Sequence, residues 1–279
     1  MKTALVLEGG AMRGIYTAGV IDVLLDAKIK IDCVIGVSAG ALFGVNYVSK
    51  QKGRVLRYNK NYINDKRYFG FSSLIKTGDI MNKDFCFNEL VYNLDKFDFE
   101  TFKKSKTDFY AVVTNLKTGH PEYKKIDDLE VDMEYLRASG SMPIVSKIVE
   151  IDGNKYLDGG ISDSIPVLKA IELGYDRVIV VLTRDINYRK KKSNTSIYKL
   201  MYKDYPKFIE TVSNRYKDYN DTVEKIIELE KENKIFVIRP SEELTIKRLN
   251  KDINKLDETY SLGVKDMNNL LKDLKSYLR

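Results

Sequence analysis

Two rhythms of apolar and polar residues run along the chain. Thr3–Leu7 (TALVL) is a continuous apolar run halted by a glycine-rich turn, the pattern of a strand buried on both faces of a parallel sheet. From Ile15 to Ala27, apolar residues at Ile15, Ala18, Val20, Ile21, Leu24 and Leu25 follow a helical period. Ile31–Val37 is a second apolar run, rich in β-branched residues, and Ala39–Lys50 after it reads as a helix. The chain thus opens as strand, glycine loop, helix, strand, tight turn, helix. This βαβ unit predicts a parallel sheet with helices on its faces.

Residues 53–106 show no dominant period. They mix Tyr62, Tyr68, Phe69, Phe71, Phe85 and Phe87 with Lys, Asn and Gly. Short helices and loops laid over the sheet are expected there, either as a lid or substrate wall or as an insertion that only packs. Regular pattern resumes with a strand at Asp108–Thr114, and Lys147–Ile151 and Lys155–Leu157 flank a hairpin turn at Asp152-Gly153-Asn154. Pro166 opens a helix to about Leu173, with Gly174 placed to end it. Arg177–Leu182 is another buried strand, and Arg189–Lys192 (RKKK) marks an exposed loop. Val212, Tyr216, Tyr219, Val223, Ile226 and Ile227 recur at helical spacing, Ile235–Ile238 reads as a last strand, and the stretch from Asp252 is helical. One sheet-centred unit with a helical C-terminal cap is the simplest account.

Composition narrows this picture. A chain of 279 residues can build one large α/β domain or two small ones. The excess of 47 Lys+Arg over 40 Asp+Glu gives +7, but acidic residues are interspersed almost everywhere, which favours a lysine-biased solvated surface over attraction to anionic phospholipid surfaces or nucleic acid. Cys33 and Cys86 sit in no CxxC or Cys/His cluster, so neither a structural zinc nor a disulfide framework is expected. The opening apolar run is too short for a signal-peptide core, and no stretch nears the ~18 apolar residues of a membrane span. A cytoplasmic protein with at most peripheral membrane contact is expected.

Gly36-Val37-Ser38-Ala39-Gly40 lies where a buried strand turns directly into a helix, the context a nucleophile elbow demands. Its glycines permit strained dihedrals, and the helix N-terminus favours developing negative charge. A serine nucleophile needs a base, and the single histidine, His120, sits in the turn-forming Lys117-Thr118-Gly119-His120-Pro121. The carboxylate of Asp158, ahead of Gly159-Gly160, is the alternative base, provided desolvation raises its basicity. Glu8-Gly9-Gly10-Ala11-Met12-Arg13-Gly14 joins the first strand to the first helix, where backbone amides can form an anion-binding concavity. A dinucleotide loop would want Gly where Ala11 stands, and a following elbow fits an oxyanion hole better.

With these pieces in order the chain resembles the patatin-like phospholipase family over roughly residues 3–185. The marks are Gly9-Gly10-Ala11-Met12-Arg13-Gly14, Gly36 to Gly40, and Asp158-Gly159-Gly160, with Arg137-Ala138-Ser139-Gly140-Ser141-Met142-Pro143 similar to the segment before the aspartate hairpin. The resemblance implies a three-layer α/β/α fold with a mostly parallel central sheet: a catalytic domain at 1–185 and a mainly helical C-terminal extension at 186–279 packed on the same core. It implies a Ser38–Asp158 dyad and oxyanion-loop amides, a lipid or fatty-acyl ester as partner, no nucleic acid, and neither metal nor organic cofactor. The departure is Ala11 in a position usually filled by Gly; at φ > 0 an alanine costs about 1 kcal/mol or more. A catalytically silent lipid- or nucleotide-binding protein on the same fold, and an acyltransferase, are the competing readings.

Overall fold

The apolar runs that open the chain lie side by side in the computed structural model, which describes residues 1–279. β1 (Thr3–Leu7) pairs in parallel with β2 (Cys33–Val37), which pairs with β3 (Asp108–Asn115). β4 (Pro121–Lys125), β5 (Val149–Ile151), β6 (Asn154–Asp158), β7 (Arg177–Val181) and β8 (Phe236–Ile238) complete a sheet of order β5-β6-β3-β2-β1-β7-β8, with β4 on β3. The centre is parallel; pairings of β3 with β4 and of β6 with β3 and β5 are antiparallel.

The helices are α1 (Gly14–Asp26), α2 (Ala39–Val48), α3 (Arg54–Tyr62), α4 (Phe71–Thr77), α5 (Phe99–Lys104), α6 (Leu129–Ser139), α7 (Val167–Glu172), α8 (Ser196–Met201), α9 (Pro206–Lys231) and α10 (Ile253–Tyr277). Because side chains alternate across a strand, the sheet feeds two cores. Leu5, Leu7, Val34, Ala111, Ile179 and Val181 pack with α1, α2 and α10. Ala4, Val6, Cys33, Ile35, Val178 and Val180 pack with α7 and α9 on the other face. Burial on both faces is why the strands carry unbroken apolar runs. The extension adds β8 to the sheet and one long helix to each face, so residues 186–279 share both cores. No helix is long and apolar enough to cross a membrane.

Several expectations shift in detail. The helix after Ser38 ends at Val48, short of Lys50. Asp152 (φ 50) and Gly153 (φ 73) form the hairpin turn alone, while Asn154 already pairs with Ile151. The unpatterned insertion holds α3 to α5 and a π-helix at Phe85–Leu94. β4, α6 and α8 carry no clear period in the sequence and are additions to the expected elements. β4 (PEYKK) is a half-exposed edge strand whose leading proline needs no ladder bond.

One sheet feature positions the site. β3 pairs with β2 as far as Val112↔Val37, and its next residue pairs with β6 at Val113↔Asp158. β4 holds the other edge of β3 through the same stretch. β6 therefore takes over where β2 turns away into α2, which sets Asp158 beside Ser38. Gly159 permits this passage: a Cβ there would lie 2.1 Å from the Val112 carbonyl oxygen.

α1 and α10 cross with backbones almost touching. A Cβ on Gly263 would lie 2.2 Å from the Tyr16 carbonyl oxygen, and one on Gly19 would lie 2.3 Å from that of Tyr260. Tyr16 donates to Asp266 and Tyr260 to Asp22 across the same contact. Gly263→Ala is expected to destabilise the protein by about 1–3 kcal/mol, read as a lower thermal midpoint. An unchanged midpoint would mean the helices separate freely.

Candidate active site

Ser38 occupies a strained turn, with φ 53 and ψ −122, between β2 and α2. Such dihedrals cost of order 1–3 kcal/mol and persist only where neighbours over-determine them. The neighbours here are glycines: a Cβ on Gly36 would lie 2.6 Å from Ala41 Cα, and one on Gly40 would lie 2.3 Å from the Leu7 carbonyl oxygen. Ser38 Oγ donates to Asp158 Oδ2 at 2.6 Å, while Asp158 Oδ1 accepts from the Gly160 amide at 2.8 Å. Both residues are buried. Burial raises the Asp158 pKa, and the bonds from Ser38 and Gly160 and the charges of Arg215 and Arg248 oppose that rise. His120 stands exposed in the β3–β4 turn, and only its backbone hydrogen-bonds.

The segment Arg137–Pro143 acquires a definite position. Ser139 Oγ accepts the Ser38 amide at 2.9 Å, and the Ser141 carbonyl accepts the Asp158 amide at 2.8 Å. Thr114 Oγ1 donates to the Asp158 carbonyl at 2.8 Å. Three hydroxyl residues thus clamp the backbones of the pair. The resemblance marks the segment that holds Ser139 and Ser141 without giving either a role, and nothing in the local sequence marks Thr114.

The glycine loop lies against Ser38; a Cβ on Gly9 would stand 3.1 Å from Ser38 Cβ. The amides of Gly9, Gly10 and Ala11 donate to no protein acceptor. Met12 N–H donates to the Arg248 carbonyl at 3.3 Å, Arg13 N–H to the Gly10 carbonyl at 3.2 Å, and Gly14 N–H to the carbonyl of Ala11. The expected donor set of Gly9 to Gly14 is thereby reduced to its first three residues, because helix formation and the C-terminal extension engage the others. Glu8, at the end of β1, anchors the loop: its buried carboxylate accepts from Thr183 N at 2.6 Å, Thr183 Oγ1 at 3.1 Å and Tyr219 OH at 2.8 Å. The sequence shows Glu8 only as the first residue of the glycine loop, with nothing to mark its partners.

Ala11 has φ 49, so the departure from glycine does place an alanine in the left-handed region. The strain of about 1–2 kcal/mol outweighs the ~0.4–1 kcal/mol that alanine contributes by restricting the unfolded chain. Ala11→Gly is therefore expected to stabilise the fold slightly, by about 0.5–1 kcal/mol. A denaturant titration that instead shows a loss would remove the strain argument.

Two cavities meet at Ser38. One, of about 100 Å³, is almost wholly apolar and includes Leu42, Phe43, Tyr68, Phe69, Phe87 and Met133. The other, of about 260 Å³, holds Asp158, Glu8 and the cations Arg13, Arg184, Lys190, Arg215 and Arg248. Ala11, Ser38 and Met142 border both. Among the insertion aromatics, Tyr68, Phe69 and Phe87 line the apolar cavity. Tyr62 and Phe85 instead pack edge to face at 5.7 Å, and Phe71 is 71% exposed. Lys190, in the run read as an exposed loop, folds back over the Tyr219 ring at 4.0 Å.

The chain is similar to known proteins over most of its length. The patatin-like phospholipase family profile matches residues 5–171, and a domain of unknown function, DUF6363, matches residues 205–279. The Escherichia coli uncharacterized protein YjjU is 27% identical over 94% of this chain and 75% of its own length. Probable lipid hydrolase 463L of Invertebrate iridescent virus 6 is 30% identical over 60% of this chain and 63% of its own. Lysophospholipase nte1 of Aspergillus terreus is 28% identical over 64% of this chain, which spans only 12% of that longer protein. With the family profile covering more than half of the residues, the chain belongs to the patatin-like phospholipase family, a family of lipid-ester hydrolases.

Proposed function

We propose that the protein cleaves carboxyl esters of lipids through a Ser38–Asp158 dyad and an acyl-enzyme intermediate. The observation that carries this reading is the 2.6 Å hydrogen bond from Ser38 Oγ to Asp158 at the junction of an apolar and a polar cavity. An amphiphile with its acyl chain in the first cavity would bring its ester carbonyl to Ser38. Ser38 Oγ attacks the carbonyl carbon while its proton passes to Asp158. Negative charge on the carbonyl oxygen meets the free amides of Gly10 and Ala11 and the N-terminus of α2. The tetrahedral intermediate collapses by breaking the bond to the alcohol oxygen, which takes the proton from Asp158. Water then attacks the acyl-Ser38 ester, gives its proton to Asp158, and releases the carboxylic acid as Ser38 recovers its hydrogen.

A fluorophosphonate probe tests the nucleophile directly. Covalent label on Ser38, located by peptide mass spectrometry and absent from Ser38→Ala, is expected; an unlabelled Ser38 would favour a silent lipid-binding protein. The base leaves a mark on the pH profile. Asp158 must be ionised to accept a proton, and burial raises its pKa above the ordinary value. Activity is therefore expected at neutral pH and lost as pH falls through a value above the usual ~4 of an aspartate. A kcat/KM profile on an uncharged chromogenic ester reads this limb, and a flat acid side would remove Asp158 as base.

A further inference from the structure

The polar cavity beside Ser38 carries far more positive charge than the dyad needs. Arg13, Arg184, Lys190, Arg215 and Arg248 converge there, against the carboxylates of Glu8 and Asp158. Those carboxylates are satisfied by neutral donors: Thr183 and Tyr219 for Glu8, Ser38 and the Gly160 amide for Asp158. None of the five cations has a carboxylate oxygen within 4.0 Å, although pairs such as Lys60–Asp257 and Arg67–Asp65 form readily on the surface.

Their existing contacts leave charge uncompensated. Arg184 lies 3.9 Å from the Tyr188 ring centroid and Lys190 4.0 Å from that of Tyr219, while Arg215 Nε donates to the Gly160 carbonyl at 2.6 Å. Arg13 Nε is buried without a hydrogen-bond partner. Burial, then the nearby Arg215, pushes the Lys190 ammonium down to about 7, and burial with Arg184 and Arg248 pushes Arg13 down to about 10. Desolvated cations such as Arg13, Lys190 and Arg215, held beside the further positive charges of Arg184 and Arg248, do not stabilise a fold. They are compensated when an anion of more than one charge enters, as a phosphate does with charge-assisted hydrogen bonds.

We infer that this cavity is the subsite for a dianionic phosphomonoester head group on the lipid whose ester Ser38 cleaves. The inference rests on the hydrolase reading and extends it to substrate class. With the acyl chain in the apolar cavity, the leaving alcohol of the ester points to the cations, and a phosphate on that alcohol lies among them. A zwitterionic head group brings its own cation into the same field, and an uncharged one leaves the five uncompensated. Arg184, Lys190, Arg215 and Arg248 all fall outside the family match at 5–171, and Arg215 and Arg248 belong to the domain of unknown function at 205–279. Supplying head-group charge to the site is thus a role for that domain.

The test compares kcat/KM on oleoyl lysophosphatidate, oleoyl lysophosphatidylcholine and monoolein in uncharged detergent micelles. The wild-type protein is expected to prefer lysophosphatidate by at least about tenfold, and Arg184→Gln/Arg248→Gln to bring that ratio to within about threefold, chiefly through KM. Neither side chain hydrogen-bonds within the protein, so the variant should fold; Arg248→Gln alone, at an exposed residue, is the second variant. Equal turnover of the three lipids, or a preference that survives both variants, would overturn the subsite. Calorimetry on Ser38→Ala supplies a readout independent of turnover. Selective binding of lysophosphatidate over lysophosphatidylcholine, lost with the arginines, supports the subsite even if no ester is cleaved and the hydrolase reading fails. Binding of inorganic phosphate without any lipid preference would make this a free-phosphate site and overturn the head-group assignment.

Discussion

Ser38→Ala is expected to lower kcat/KM on a lipid ester by at least about 10⁴-fold, and Asp158→Asn by about 10³–10⁴-fold. The alanine removes the only oxygen that the elbow presents to a carbonyl. The asparagine keeps the shape of the carboxylate, so the bond at 2.6 Å to Ser38 can persist in some form. It cannot accept the serine proton, and a neutral hydroxyl is then left to attack unaided. Because the two groups act as one unit, the double variant should be no slower than Ser38→Ala alone. Steady-state rates on one ester, with the melting curve of each variant as a control, measure this. Asp158→Asn activity within about tenfold of wild type would show that another group takes the proton.

The second large effect falls on a residue with no side chain. Gly40→Ala would put a methyl group 2.3 Å from the Leu7 carbonyl oxygen and 2.8 Å from that of Glu8. Both belong to backbone at the end of β1, which is held on one side by β2 and on the other by β7, so neither can retreat cheaply. A loss of about 3 kcal/mol is expected, near the upper range for overpacking. Protein that does fold should lose about 100-fold in activity, because α2, the elbow and the glycine loop must shift relative to one another. Gly53→Ala is the informative contrast. Its φ is 72, but no atom lies within 4 Å of the added Cβ, so only backbone strain of about 1–2 kcal/mol is expected, with turnover intact. Equal melting and activity for the two variants would argue that the elbow tolerates crowding.

The parts of the candidate site that were legible in the sequence are those with short-range causes. An elbow needs glycines on either side of its serine because backbone passes within a bond length or two of where a Cβ would sit, and that need is written within Gly36–Gly40. The glycine loop is legible for the same reason. Lys190 and Arg215 were not. One sits in a basic run that resembles any solvated loop, and the other stands on the buried arc of α9, three residues after Val212 and four before Tyr219, where the apolar spacing passes it over. The insertion aromatics could not be sorted either, since Phe69 in a cavity wall and Phe85 in a packed pair have the same composition around them.

By itself the sequence determined the alternation of apolar strands and helices, the strand-to-helix serine turn, the lack of a suitable histidine, and through its motifs the family. These follow from local propensity, burial on two faces and residue count. Tertiary structure alone decided which groups meet. Ser38 and Asp158 stand 120 positions apart and touch because β6 replaces β2 along one edge of β3. The cations of the polar cavity come from residues 13 to 248, and the Met12 amide is taken by the carbonyl of Arg248. Such meetings depend on sheet order and on the path of the C-terminal extension, which no periodicity in the chain encodes.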